Sequence, residues 1–204
     1  MKKPYIILIG AGGHAKSCID VIVSEGKYNI YGLVGKKSEV GRSVCGYKVI
    51  GTDEILNEII KKVPYALIGI GQINSKKRVA IYHELLAIGF KLPNIVANDA
   101  YISKHSSLGQ GNIFMHDVII NADVRIGNNC IFNTRALVEH DSTIDDNCHI
   151  STGTILNGNV TVHKDSFIGS GVNLMEGITI GKNSIIGMGL SVRHNQKDNT
   201  KFTG

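Results

Sequence analysis

The 204 residues carry a formal net charge of +5, no Trp and few aromatics, with Lys and Arg scattered rather than blocked. That spread, without interleaved aromatic residues, argues against a nucleic-acid surface. No apolar run approaches the roughly 20 residues of a membrane span. Four cysteines, at 18, 45, 130 and 148, lack any CxxC spacing, so neither a metal site nor a disulfide framework is expected.

The chain opens with MKKPYIILIGAGG, which has the charge of a signal peptide. Its apolar run of about five residues is too short for the apolar core of one, and a cytoplasmic location is expected. Tyr5 to Ile9 reads as a buried strand, followed by Gly10-Ala11-Gly12-Gly13-His14-Ala15. A helix comes next, with Cys18, Ile19, Ile22 and Val23 on one face and Glu25-Gly26 closing it. Tyr28 to Val34 reads as a second strand, and Asp53 to Ile60 as a helix capped by Thr52. Ala66 to Ile70 is a third strand, running into Gly71-Gln72-Ile73-Asn74, and Arg78 to Ile88 is another amphipathic helix stopped by Gly89. Strands alternating with helices imply a small parallel sheet of Rossmann type over residues 1–93.

The Gly10–Ala15 run fits G-x-G-x-x-A in a strand–turn–helix setting, where glycines let backbone amides approach a phosphate. An NAD site wants an acidic residue at the end of the second strand. This chain has Val34-Gly35-Lys36-Lys37 there, which favours some other anionic ligand, with His14 as a donor to it. The clusters Lys36, Lys37, Arg42 and Lys76, Lys77, Arg78 read either as solvated loop charge or as phosphate attraction.

From residue 94 to 204 the pattern changes. Every sixth residue from Val96 through Ile120, Val138 and Ile168 to Val192 is a large aliphatic or Phe. Two slots before it, small or β-branched residues recur, such as Val118, Cys130, Ser142, Cys148 and Thr154. One slot after it, Gly109, Asn121, Gly127, Asn157, Gly169 and Gly181 are expected to form left-handed corners. A period of six is the hexapeptide signature of a parallel β-helix, usually left-handed, with three hexads per coil. Residues eighteen apart should then stack, which places Cys130 on Cys148 as core thiols and Ala122, His140, Gly158, Glu176 and His194 in one outward column. His140 has small neighbours above and below and Asp141 beside it. A carboxylate that fixes the imidazole tautomer suits a general base, although a surface His beside a surface Asp has the same spacing.

The Gly10–Ala15 loop, Ile68-Gly69-Ile70-Gly71, Asn133-Thr134, Glu139-His140-Asp141 and His149 with Ser151 to Asn159 together resemble the sialic acid O-acetyltransferase/bacillosamine N-acetyltransferase family. The resemblance spans essentially the whole chain. It implies an acetyl-CoA-dependent transferase with no metal, forming a homotrimer whose active sites lie between neighbouring prisms. It assigns a nucleotide-sugar to Gly12, Gly13, His14 and Gly71, the base to His140 with Asp141 as partner, and the acetyl thioester to His149. Backbone near Gly158, Ser170 and Met188 would line the CoA groove. Where the family has an acidic pair that recognises uracil, this chain has Gly35 and Lys36, which implies altered nucleotide selection. The leading expectation is N-acetylation of a 4-amino-dideoxy sugar nucleotide for O-antigen, capsule or glycoprotein assembly. The alternatives are O-acetylation of a sialic-acid-like sugar, or a non-catalytic scaffold that senses a nucleotide.

Overall fold

The computed structural model describes residues 3–71, 73 and 76–203. The chain divides into two compact units, residues 1–72 with 76–98, and residues 99–204.

The first unit is built on β1 (Tyr5–Ile9), whose Ile6, Ile7, Leu8 and Ile9 are all buried. A near-continuous apolar run suits a central parallel strand covered on both faces. It is followed by α1 (Gly13–Glu25) and β2 (Asn29–Val34). Helix α1 buries Ala15, Cys18, Ile19, Val21 and Ile22, and ends at Gly26, whose left-handed backbone (φ 67°) lets its N–H reach the Ile22 carbonyl. Val23 is exposed, against expectation, because at roughly 100° per residue it falls beyond the edge of the Ala15–Cys18–Ile22 stripe.

A hairpin of β3 (Ser43–Val44) and β4 (Tyr47–Gly51) follows, turning through Cys45 and Gly46, both at positive φ. The sequence pattern does not mark strands there. The expected helix from Asp53 to Ile60 is instead a 3-10 turn, Asp53–Ile55, leading into the single turn of α2 (Leu56–Ile59). Thr52 makes no capping bond; its hydroxyl donates to Glu54 at 3.2 Å. Strand β5 (Tyr65–Ile68) and helix α3 (Lys76–Ile88) complete the unit. The expected run Gly71-Gln72-Ile73-Asn74 falls partly on Gln72 and Asn74, which lie outside the described residues.

The sheet order is β3-β4-β2-β1-β5, and β1 pairs in parallel with both β2 and β5. The chain moves outward from β1 through β2 to β4, then returns to the other side of β1. The C-terminal ends of β1 and β5 therefore form a topological switch point, where open α/β sheets bind ligands.

In the second unit, two-residue strands begin at every sixth residue from Tyr101–Ile102 to Ser191–Val192. Each as far as Asn173–Leu174 pairs in parallel with the strand eighteen residues on: Ile119 with Leu137, Arg125 with Thr143, Ile131 with His149. Three sheets thus form the faces of a prism, as expected of a hexapeptide β-helix. The aliphatic slot fills the interior from Phe114 onward, with the Phe114 and Phe132 rings stacked 4.9 Å apart. At the end of the prism, Ile102 and Leu108 are only half-buried. The small slot is buried as well, and its polar members are satisfied by the next coil. Ser142 donates to the Asn157 carbonyl at 3.2 Å, Thr154 to Gly169 at 3.0 Å and Ser166 to Gly181 at 2.9 Å. Cys130 and Cys148 are buried free thiols in that slot.

The corners differ from expectation. The left-handed residues fall three places after the aliphatic slot, at Asp117, Asp123, Asn129, Asp141, Asn147, Gly153 and Gly171, not one place after it. Asn and Asp accept that conformation more readily than other residues with a β-carbon. The glycines at the expected slot have a different cause, the spacing of the coils. A β-carbon on Gly109 would lie 2.5 Å from the Gly127 carbonyl oxygen, and one on Gly169 would lie 2.7 Å from the Met188 nitrogen.

Candidate active site

At the switch point, the ends of β1, β2 and β5 open into a cavity of about 400 Å³. Gly12, Gly13, His14, Gly35, Lys36 and Gly71 all line it, so the six residues expected to hold a nucleotide-sugar converge. The glycines of the loop have two separate explanations. Gly10 is required by the fold: its φ is +119°, and a β-carbon would come within 2.9 Å of the Gly69 carbonyl oxygen. Gly12 and Gly13 face open space, with no atom within 4 Å of an added β-carbon. Nothing in the protein requires glycine there, whereas a ligand approaching the backbone would. Helix α1 begins at Gly13 with no acidic residue in its first turn and no side-chain cap. Its N-terminal amides and dipole suit an anion.

His14 closes the floor of this cavity. Its ring rests where a Gly71 side chain would be, since a β-carbon on Gly71 would lie 2.6 Å from His14 Cγ. Burial, reinforced by the neighbouring Arg78 guanidinium, pushes the His14 pKa down to about 4. His14 is therefore a neutral imidazole at physiological pH, able to donate one N–H but not to act as a cation. Arg78, expected at the start of a helix and read as either solvated charge or phosphate attraction, is a buried residue of α3. Glu39 also lines the cavity and was not anticipated. It follows the end of β2 by five residues, in a 3-10 turn, and no periodicity marks it.

The second centre is at a corner of the prism. His140 and Asp141 form the turn between strands Leu137–Val138 and Thr143–Ile144. His140 Nδ1 lies 2.7 Å from Asp141 Oδ2, and Asp141 has the left-handed φ of 61°. In the neutral imidazole, Nδ1–H donates to the carboxylate and Nε2 keeps its lone pair. The hydrogen bond to Asp141 raises the His140 pKa above 6.5; slight desolvation opposes it, and the charges of Asp141, Glu139 and Glu176 add to it. The ring lies over Gly158, where a β-carbon would come within 2.7 Å of Cε1 and 2.9 Å of Nε2. The stacking expected from the eighteen-residue period is present, and the glycine fixes where the ring sits.

Two other histidines pair with carboxylates: His116 Nδ1 with Asp99 at 3.0 Å and His163 Nδ1 with Asp145 at 2.8 Å. A His–Asp pair alone is therefore not distinctive on this prism. Of the three, His140 is the one whose ring atoms are the nearest neighbours of a β-carbon added to a glycine of the next coil, Gly158. His149 takes an outward strand position, buried, with its ring edge-on to Phe167 at 5.1 Å. Ser170 and Met188 stack at a different corner, where the Gly189 amide donates to the Ser170 carbonyl at 2.8 Å and Met188 is 80% exposed. One prism thus brings His140, Asp141 and Gly158 together, while Ser170 and Met188 lie on another edge. The face between these edges carries Tyr101 and Ile119 exposed, with Leu137 and Ile155 half-buried. Among the described residues, no group of three or more His, Cys, Asp or Glu is arranged to hold a metal, and no helix is long and apolar enough to cross a membrane.

A hexapeptide prism with an imidazole held by a carboxylate at one corner, on the same chain as a glycine-lined cavity at a sheet switch point, belongs to the class of hexapeptide-repeat acyltransferases. Residues 5–85 match the family of the PglD N-terminal domain, and residues 159–194 match the bacterial transferase hexapeptide (six repeats). A perosamine N-acetyltransferase variant from Caulobacter crescentus, solved with CoA and GDP-perosamine, is 31% identical with a TM-score of 0.89, over 95% of this chain and 90% of that one. The acetyltransferase domain of PglB from Neisseria gonorrhoeae, solved with acetyl coenzyme A, is 31% identical with a TM-score of 0.90, over 97% and 95% of the two chains. WeeI from Acinetobacter baumannii, 22% identical over 95% of this chain and 94% of its own, shares the fold with a TM-score of 0.82. No curated protein sequence matches the chain. The chain belongs to the PglD-like family of left-handed β-helix sugar acetyltransferases.

Proposed function

We propose that this protein transfers the acetyl group of acetyl-CoA to the amino group of a nucleotide-linked amino-dideoxy sugar. The observation that carries this reading is His140, held by Asp141 at 2.7 Å with Nε2 directed over Gly158. A thioester is already activated, so the protein has to align two substrates and remove one proton. The sugar amine attacks the thioester carbonyl, and His140 Nε2 takes the proton that the nitrogen loses as the C–N bond forms. Collapse of the tetrahedral intermediate breaks the C–S bond, and the imidazolium gives its proton to the departing sulfur, which releases CoA and restores the base. Asp141 stabilises the imidazolium that forms. Backbone amides near Gly158 supply donors for the developing oxyanion.

The glycine-rich cavity holds the nucleotide diphosphate, with Gly12 and Gly13 against the phosphates and neutral His14 as a hydrogen-bond partner. His149, Ser170 and Met188 line the donor groove. Because Ser170 and Met188 lie on a different prism edge from His140, the acyl-transfer site is completed by a neighbouring subunit of a homotrimer. The exposed apolar strip of Tyr101 and Ile119 supports that association. Surface glycan assembly in the cytoplasm is the setting that fits such an activated sugar. N-acetylation is favoured because a solved relative with a named acceptor is a perosamine N-acetyltransferase.

The reading is tested by incubating the protein with acetyl-CoA and a panel of nucleotide-linked 4-amino sugars, with mass detection of products. One acetyl group on the amine, formed with stoichiometric CoA release, is the expected result. No transfer to any amino sugar, or acetylation of a hydroxyl while the amine stays free, overturns it.

A further inference from the structure

The loop after β2 holds a carboxylate that acyl transfer does not use. Glu39 ends the 3-10 turn Lys37–Glu39, which folds back so that Oε2 accepts the Lys36 backbone N–H at 2.8 Å. Gly35 permits that return, because a β-carbon there would lie 2.9 Å from the same oxygen. The carboxylate is thereby fixed at the C-terminal end of β2, on the cavity wall, next to the exposed side chain of Lys36. In sheets of this type, a nucleotide whose phosphates lie at the first helix extends its nucleoside toward the end of the second strand. Asp53 and Lys77 are the other charged side chains lining the cavity.

A carboxylate only accepts hydrogen bonds and an ammonium only donates them. Glu39 and Lys36 together therefore present two adjacent acceptors and one donor. Guanine has the complementary edge: the N2 amine and N1–H are neighbouring donors, and O6 accepts. Uracil places a carbonyl on each side of its single N–H, so one carbonyl would oppose a carboxylate oxygen. Adenine and cytosine each set one amine beside an accepting ring nitrogen. We propose that this loop selects guanine, with Glu39 accepting from N1–H and N2–H and Lys36 donating to O6, so that the acceptor sugar is carried on guanosine diphosphate. The inference rests on the reading of the chain as a nucleotide-sugar acetyltransferase.

Calorimetric titration of the full-length protein and its Glu39→Gln variant with GDP, IDP, UDP and 2′-deoxy-GDP tests it. IDP lacks the N2 amine and keeps the other groups. GDP should bind about tenfold or more tighter than UDP, and IDP should lose about as much, the scale of a hydrogen bond to a charged group. The 2′-deoxy nucleotide should bind like GDP. Glu39→Gln should weaken GDP about tenfold and erase its advantage over UDP. If that variant melts at a lower temperature, Lys36→Ala serves instead, and should weaken GDP and IDP equally, because both keep O6. Equal binding of UDP and GDP by the wild type overturns the proposal. A loss confined to 2′-deoxy-GDP also overturns it, since Glu39 would then hold the ribose. Guanine preference without acetyl transfer to any GDP-linked amino sugar would sink the proposed activity and leave only the guanine selectivity of the loop standing. Transfer without guanine preference does the reverse.

Discussion

Gly158→Ala isolates the placement of the His140 ring from every other feature of the site. Gly158 does not use a left-handed backbone, so an alanine introduces no strain of its own, and only the new methyl group matters. That methyl would lie 2.7 Å from His140 Cε1 and 2.9 Å from Nε2. Reaching an ordinary contact of about 3.5 Å requires the ring to retreat by roughly 0.8 Å. A displacement of that size near reacting atoms costs on the order of 10²-fold in turnover. It also loosens the 2.7 Å bond to Asp141, which is the main reason the His140 pKa is raised. In a steady-state assay of CoA release, kcat should fall by about 10²-fold, and the acidic limb of the pH profile should shift down toward 6.5. The melting temperature should stay close to that of wild type, because the exposed His140 ring contributes little to the core. Unchanged kcat with an unchanged acidic limb would refute the claim that the glycine seats the base.

Asp141→Asn should lower kcat less than removal of His140, and it too should move the acidic limb to lower pH, since wild-type activity is lost as pH falls through the raised His140 pKa; a pH–rate profile that does not move contradicts the assigned partner. Gly13→Leu should raise the acceptor KM while leaving acetyl-CoA affinity nearly unchanged, and calorimetry showing lost acetyl-CoA binding instead would reverse the roles given to the two halves. His14, with a folded pKa of about 4 against the ordinary histidine value of 6.5, binds its proton more readily when the chain is unfolded. Stability should therefore fall as pH drops from about 6.5 to 4, by about 3 kcal/mol, and denaturant titrations of His14→Gln should lack that slope.

The prism was the most legible part of the chain, because a six-residue period constrains every inward side chain from Phe114 to Val192 in the same way. The same period predicted that His140 stacks on Gly158. It did not reveal which slot turns left-handed, since glycines selected for coil spacing, such as Gly109 and Gly169, look like corner glycines in sequence. The glycine-lined cavity was half legible. Its glycines follow a known spacing, but Glu39 reaches the end of β2 through a turn, whereas the residues next to Val34 in the chain are Gly35 and Lys36. The burial of Arg78 was hidden by Lys76 and Lys77, which give the helix start the composition of a solvated loop. The β3–β4 hairpin was missed because Ser43 and Val44 form too short a strand to show alternation.

The central claim is that His140 is the general base of acetyl transfer. Replacing it with alanine removes an exposed side chain whose ring atoms lie against Gly158 and not in the core, so the melting temperature should be preserved. Single-turnover transfer of acetyl from acetyl-CoA to the best nucleotide-linked amino sugar should slow by roughly 10² to 10⁴, the span for losing a general base. A folded His140→Ala protein that transfers acetyl at nearly the wild-type rate would contradict the account.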